Sequence, residues 1–168
     1  QNPAPAPGHF ELMAFDVGQG TAVWVRTARH SLLYDAGPRY GPDSDAGGRV
    51  LVPVLRALGV RPDLLLLSHR DTDHIGGAAA LLAWQPDLPL LSSLEAGHPL
   101  LQGRVGHQPC RDGQRWHWDG VDFELLHPSE EFAAGAHKPN ALSCVLRVVA
   151  GQGKGAALLA GDHPKHTA

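Results

Sequence analysis

Four consecutive leucines, Leu64–Leu67, follow Pro62 and Asp63 and run directly into the polar stretch Ser68-His69-Arg70-Asp71-Thr72-Asp73-His74. A short, unbroken apolar run of this kind is the pattern of a strand buried on both faces. Ile75–Trp84 then predicts a helix that stops before Pro86, and Leu88–Leu91 predicts another buried strand. Strand, helix and strand over Leu64–Leu91 make a βαβ unit, which commits the chain to an α/β architecture.

The remainder of the chain fits around that unit. Residues 1–8 alternate Pro and Ala and read as a linker, leaving 9–168 as one domain. Phe10–Val17, Thr21–Arg26 and Ser31–Tyr34 predict three strands with tight connections, an antiparallel meander. Gly37–Gly48 reads as a loop, and Val50–Leu58 as a helix stopped at Gly59. In the second half, Gln114–Trp118 and Val121–Leu126 predict a hairpin across Asp119-Gly120. His127–Ala141 reads as a polar loop, and Leu142–Val149 with Ala156–Leu159 as a second strand pair. No apolar stretch approaches the roughly 20 residues of a membrane span, and no leader pattern opens the chain. A net charge of −3 argues against a broad electrostatic footprint for nucleic acid, but does not exclude a metal-dressed site for an anionic substrate. The two cysteines, Cys110 and Cys144, either pair or stay free; the sequence leaves both open.

Chemistry concentrates in the loop after Leu67. His69, Asp71, Asp73 and His74 place four metal-ligand types within six residues, between a buried strand and a helix start. Imidazole and carboxylate at this spacing suit a divalent cation with open positions for water. Gly76 and Gly77 leave room for a ligand or phosphate against the backbone. A single Asp in such a turn would read as a cap, but four ligand types followed by Gly-Gly have little local structural use.

The pattern His-x-Asp-x-Asp-His-x-Gly-Gly resembles the second motif of the metallo-β-lactamase superfamily, with Asp71 where most members carry a second His. Asp71 and the stretch Asp16-Val17-Gly18-Gln19-Gly20 resemble one branch, the soluble domain of ComEC-type DNA-internalisation competence proteins. Leu32-Leu33-Tyr34-Asp35-Ala36-Gly37 is similar to the superfamily's first motif. Asn140-x-x-Ser143 and Leu158-Leu159-Ala160-Gly161-Asp162 follow in the order of that branch, while Thr21 stands where it often carries Asp. The resemblance covers about Phe10 to Asp162. It implies a metallo-β-lactamase-like αββα four-layer sandwich, truncated at its C-terminal end before the family's last strands and final His. It makes His69 and Asp71 ligands of one metal, Asp73 (also a catalytic carboxylate) and His74 ligands of a second, and Asp162 the carboxylate that closes the pair. Asp16, Gln19 and Asp35 take supporting roles beside the site, or serve turn chemistry. Gly76, Gly77, Asn140 and Ser143 join the supporting set. His127 is either a further ligand or a surface histidine.

The function implied is a metal-dependent hydrolase, a phosphodiesterase or nuclease acting on incoming DNA. Its cofactors would be one or two divalent ions, Mn²⁺ or Zn²⁺, with no small organic cofactor. Its partners would be DNA, single-stranded, and the membrane channel of the same polypeptide. The domain would be soluble, on the periplasmic or extracellular side of an inner or cytoplasmic membrane protein. The alternatives are a stand-alone hydrolase of thioester, lactone or β-lactam substrates, which Asp71 disfavours, and a non-catalytic metal- or DNA-binding domain. The five residues His69, Asp71, Asp73, His74 and Asp162 are expected in one cluster at the end of Leu64–Leu67. With the final His absent, metal occupancy is expected to be weak, turnover low and a sheet edge open.

Overall fold

Alternation within the apolar strands dictates the layering. The computed structural model describes residues 3–69, 71–127, 143–161 and 165–167. The strands β1 (Glu11–Ala14), β2 (Val23–Arg26), β3 (Ser31–Tyr34), β6 (Leu64–Leu67), β7 (Leu90–Ser92) and β8 (His107–Pro109) form a first sheet, in the order β1-β2-β3-β6-β7-β8. The first three pair antiparallel and the remainder parallel. A second sheet has the order β13-β12-β11-β10-β9, from β9 (Arg115–Trp118), β10 (Val121–His127), β11 (Val145–Val149), β12 (Ala156–Leu159) and β13 (Lys165–Thr167), antiparallel throughout. A small hairpin, β4 (Arg39–Gly41) with β5 (Ser44–Asp45), stands apart.

Because side chains alternate along a strand, each leucine of β6 faces one of two cores. Leu65 and Leu67 join Leu33, Leu51, Leu55, Leu81 and Leu82 beneath the helices α1 (Val52–Leu58) and α3 (Ala78–Trp84). Leu64 and Leu66 join Leu32, Tyr34, Val121, Phe123, Leu146 and Val148 between the two sheets. Among the described residues the order of layers is therefore helix, sheet, sheet, three of the four expected.

Several sequence expectations shift by local physics. The helix read over Ile75–Trp84 is two, α2 (Thr72–Ile75) and α3, interrupted at Gly76-Gly77. The helix expected from Val50 begins earlier, as a wide π turn over Gly47–Leu51 that leads into α1. The Gly37–Gly48 loop contains the β4–β5 hairpin, and β8 and β13 were not expected. Lys165–Thr167 pairs with β12 and is itself an edge strand of the second sheet. Gly8, the last residue of the segment read as a linker, meets the second sheet's turns: its N–H donates to the Asp119 carbonyl (2.7 Å) and its carbonyl accepts from Gly151 N–H (2.8 Å).

Two long-range links join distant parts of the chain. Cys110 and Cys144 form a buried disulfide across a sequence separation of 34, tying the end of β8 to the start of β11. At the β9–β10 turn, Asp119 and Gly120 take φ of 53° and 82°, the pairing a two-residue hairpin favours. The Asp119 carboxylate reaches the β2–β3 turn, accepting from Thr27 Oγ1 (2.6 Å) and Arg29 N–H (2.7 Å), with His30 Nδ1 at 3.2 Å. The Thr27 hydroxyl foremost, then the Arg29 amide and His30, hold its acidity at about 2, against the opposing pull of desolvation.

Both links generate expected outcomes. Replacing Cys110 and Cys144 by alanine releases a long loop in the unfolded chain, and urea denaturation should show a loss of about 3–4 kcal/mol. For Asp119 the folded value lies below the unfolded one, so its contribution is present above about pH 4 and lost as pH falls towards 2. The stability gap between the natural chain and Asp119→Asn, measured by urea titration at a series of pH values, should therefore close across that window.

Candidate metal centre

The C-terminal ends of the parallel strands β3, β6 and β7 lie side by side, and the polar residues that follow them meet there. Asp35 follows β3, Ser68 and His69 follow β6, and Ser93 follows β7. Asp35 is fully buried and takes a positive φ of 65°, a conformation Asp tolerates better than most residues. That turn aims its carboxylate across to β6. Ser68 N–H donates to Oδ1 (2.6 Å), the Ser68 hydroxyl donates to Oδ2 (2.7 Å), and His74 Nδ1 lies 2.7 Å from the same Oδ2. A buried carboxylate is costly unless paired, and here three donors from the neighbouring loop compensate it.

With Nδ1 of His74 engaged by Asp35, Nε2 is the ring atom through which this histidine would coordinate a metal. A carboxylate behind a ligating imidazole fixes its tautomer and ring orientation. His69 is 1% exposed, and its ring centroid stands 3.7 Å from that of His74. Asp71 immediately precedes α2 yet makes no side-chain cap to the helix. Its N–H and one carboxylate oxygen each lie 3.4 Å from His69 Nδ1, with the side chain 51% exposed. Asp73 is exposed in the first turn of α2.

Three loops are laced together beneath these side chains. Ala36 N–H donates to the His74 carbonyl (2.7 Å), Gly76 N–H to Gly37 (2.8 Å) and Gly77 N–H to Ala36 (3.2 Å). The β1–β2 loop that carries Asp16 and Gln19 closes on the same point, with Thr21 N–H donating to the Asp73 carbonyl (3.3 Å). Asp16 and Gln19 themselves are exposed there. Gly76 and Gly77 correct their sequence reading. A Cβ on Gly76 would overlap the Pro38–Arg39 backbone, and one on Gly77 the Ala36 carbonyl and Gly47. These glycines admit neighbouring backbone, where a ligand was expected.

The second sheet reaches the site from the other side. Cys144 N–H donates to the Ser68 carbonyl (2.8 Å), which also accepts from the Ser93 hydroxyl (2.9 Å). A Cβ on Gly161 would stand 3.3 Å from His69 Cδ2 and 3.6 Å from Ser143 Oγ, so Gly161, His69 and Ser143 are neighbours. Asn140 and Asp162 lie outside the described residues. The backbone of His127 ends β10 beyond a register shift, and its side chain lies outside what is described.

Of the five residues expected in one cluster, Asp162 lies outside the described residues. Among the described residues, no three His, Cys, Asp or Glu side chains stand ready to enclose an ion. His69 and His74 are together, with Asp71 beside them. The donor set still fits a divalent cation: two buried imidazoles, one braced by a carboxylate, with the exposed Asp71 carboxylate beside them. Ser68, Ser93, Cys144 and Gly161 escaped the sequence reading, because each contributes through backbone or through a partner far away in the chain. Ser68 alone had a local signal, its place directly before His69.

The model of the metallo-beta-lactamase superfamily matches residues 15–163. Competence protein ComA of Neisseria gonorrhoeae is 45% identical over 149 residues, which are 88% of this chain and 19% of that protein. Recombination protein 2 of Haemophilus influenzae is 33% identical over 153 residues, 91% of this chain and 18% of that one. The chain therefore spans about a fifth of the length of these curated relatives. A metallo-β-lactamase with a HARLDQ motif from Cronobacter sakazakii has the same fold, with a TM-score of 0.61 at 23% identity, covering 94% of this chain and 60% of that one. On the fold, the histidine-carboxylate loop and a family match over nearly its whole length, the chain belongs to the metallo-β-lactamase superfamily, beside competence-type relatives.

Proposed function

We propose that this chain is a metal-dependent phosphodiesterase domain that cleaves DNA during uptake. The observation that carries the reading is the donor set at the end of β6, where His69 and His74 are buried and the remaining candidate donors are carboxylates. Superfamily members are generally hydrolases and usually hold one or two zinc ions. In this chain, Asp71 at the position of the usual second histidine shifts the balance towards harder ions such as Mn²⁺, with Zn²⁺ still accommodated. The kinship with a competence protein supports DNA as substrate.

When bound, a divalent cation here supplies Lewis acidity towards a phosphoryl oxygen and lowers the pKa of coordinated water. His69, Asp71 and Asp162 would hold one such ion, and Asp73 and His74 a second, with Asp162 shared. Asp35 keeps the His74 ring fixed, so that no reorientation is needed as charge develops. Asp73, exposed in the first turn of α2, would accept a proton from an attacking water. The laced loops tie the backbone of Asp73 and His74 to the loops after β1 and β3, which supports their mutual geometry.

No helix among the described residues is long and apolar enough to cross a membrane. The disulfide supports an oxidising compartment. The reading therefore places the domain on the periplasmic or extracellular side of a membrane protein whose channel portion handles the DNA.

The direct test is cleavage of single-stranded DNA by the purified chain with Mn²⁺ or Zn²⁺, beside nitrocefin and a thioester. Slow cation-dependent cleavage that chelation abolishes and His69→Ala removes is expected. Absence of cleavage alongside rapid nitrocefin or thioester hydrolysis would overturn the substrate class. Asp35→Asn retains the carboxylate's shape but not its charge, and calorimetric titration should show metal affinity about 10–100-fold weaker.

A further inference from the structure

Tyr34 precedes Asp35 in the chain and faces the opposite way, into the core between the sheets, where it is 1% exposed among Leu32, Leu66, Val121, Phe123 and Leu146. A phenylalanine would fill this apolar space as well. The hydroxyl, however, needs partners when buried, and it finds them on two separate strand ends of the second sheet. It donates to the Cys144 carbonyl (2.5 Å) and accepts from Gly161 N–H (2.9 Å).

Both ends matter at the site. Cys144 is tied to β8 through the disulfide, and its N–H donates to the carbonyl of Ser68, the residue before His69. Gly161 lies against the His69 ring, close enough that a Cβ there would stand 3.3 Å from Cδ2. One phenolic oxygen therefore joins the strand end carrying Asp35 to the strand ends at Cys144 and Gly161.

We infer that Tyr34 is a positioning residue of the metal centre: its hydroxyl sets where Gly161 and Cys144 stand against His69, and through them the affinity for the ion. This rests on the metal-site reading of the preceding subsection. Loss of a supporting contact behind a ligand typically weakens metal binding by about 10–100-fold, and a displacement well under 1 Å suffices to spoil such a constellation.

The test is Tyr34→Phe in the whole chain, with three readouts: equilibrium dialysis against Mn²⁺ and Zn²⁺, metal-free urea denaturation, and the imidazole NMR signals of His69 without metal. The expected result is roughly 10-fold weaker binding of either ion and a shifted His69 signal in the metal-free protein. Reduced stability with unchanged metal affinity and an unmoved His69 signal would make the hydroxyl a structural bond only, and would overturn the proposal. If the natural chain binds neither ion, the metal-site reading fails by itself. The positioning of His69 is then judged on the metal-free signal, where no difference between Tyr34→Phe and the natural chain overturns it. Should Tyr34→Phe not fold, the natural chain is labelled with 3-fluorotyrosine. Its two tyrosines give two fluorine signals, distinguished with Tyr40→Phe. The Tyr34 signal should move as Zn²⁺ binds, and a signal unmoved at saturation would overturn the proposal.

Discussion

The carboxylate of Asp35, withdrawn from water at the end of β3, accepts hydrogen bonds from the Ser68 amide, the Ser68 hydroxyl and His74, and these bonds join β3, β6 and α2. A charge buried so completely is tolerable only while all three donors stay in place. The fold provides them by bringing two parallel strands to the same level, Tyr34 opposite Leu66, so that the residues just beyond them meet. The backbone lacing between Ala36, Gly37 and residues 74–77 then follows, because the two loops leave their strands side by side. The site is in this sense a by-product of satisfying one buried acid.

Much of the fold was legible because its cause is local. The leucine run of β6, the apolar run Leu32-Leu33-Tyr34 and the Asp119-Gly120 turn are written within a few residues each, and the strands fall where those patterns are. The ligand-rich loop was legible for the same reason, being contiguous. The break between α2 and α3 was not. The apolar pattern from Ile75 to Trp84 continues through it, and the interruption arises from backbone that approaches Gly76 and Gly77 from Pro38 and Gly47. The cysteine pairing and the partners of Tyr34 were equally hidden, since they join positions separated by 34, 110 and 127 residues.

The site itself divides along the same line. His69, Asp71, Asp73 and His74 could be named from spacing, but spacing is silent on burial. The structure sinks the two histidines and leaves the two carboxylates at the surface. Ser68 and Ser93 do their work through a carbonyl, an amide and hydroxyls, which carry no distinctive signature in a sequence. What holds a ligand is harder to read than the ligand, because support comes from whichever chain segment the fold delivers.

The two-faced burial of β6 has a consequence for how this chain can vary. Leu65 and Leu67 belong to the helix side and Leu64 and Leu66 to the sheet side, so inserting or deleting one residue there would exchange the two cores. The same slip would turn His69 to the opposite face. A change of two residues would restore the faces but shift the histidine by about 7 Å along the strand, past the reach of His74 and Asp35. Length drift among descendants of this sequence is therefore barred from the segment between Pro62 and His69 and is free only in the connecting loops away from it. The spacing between that proline and that histidine is a ruler against which remote relatives can be aligned even after their leucines have been replaced.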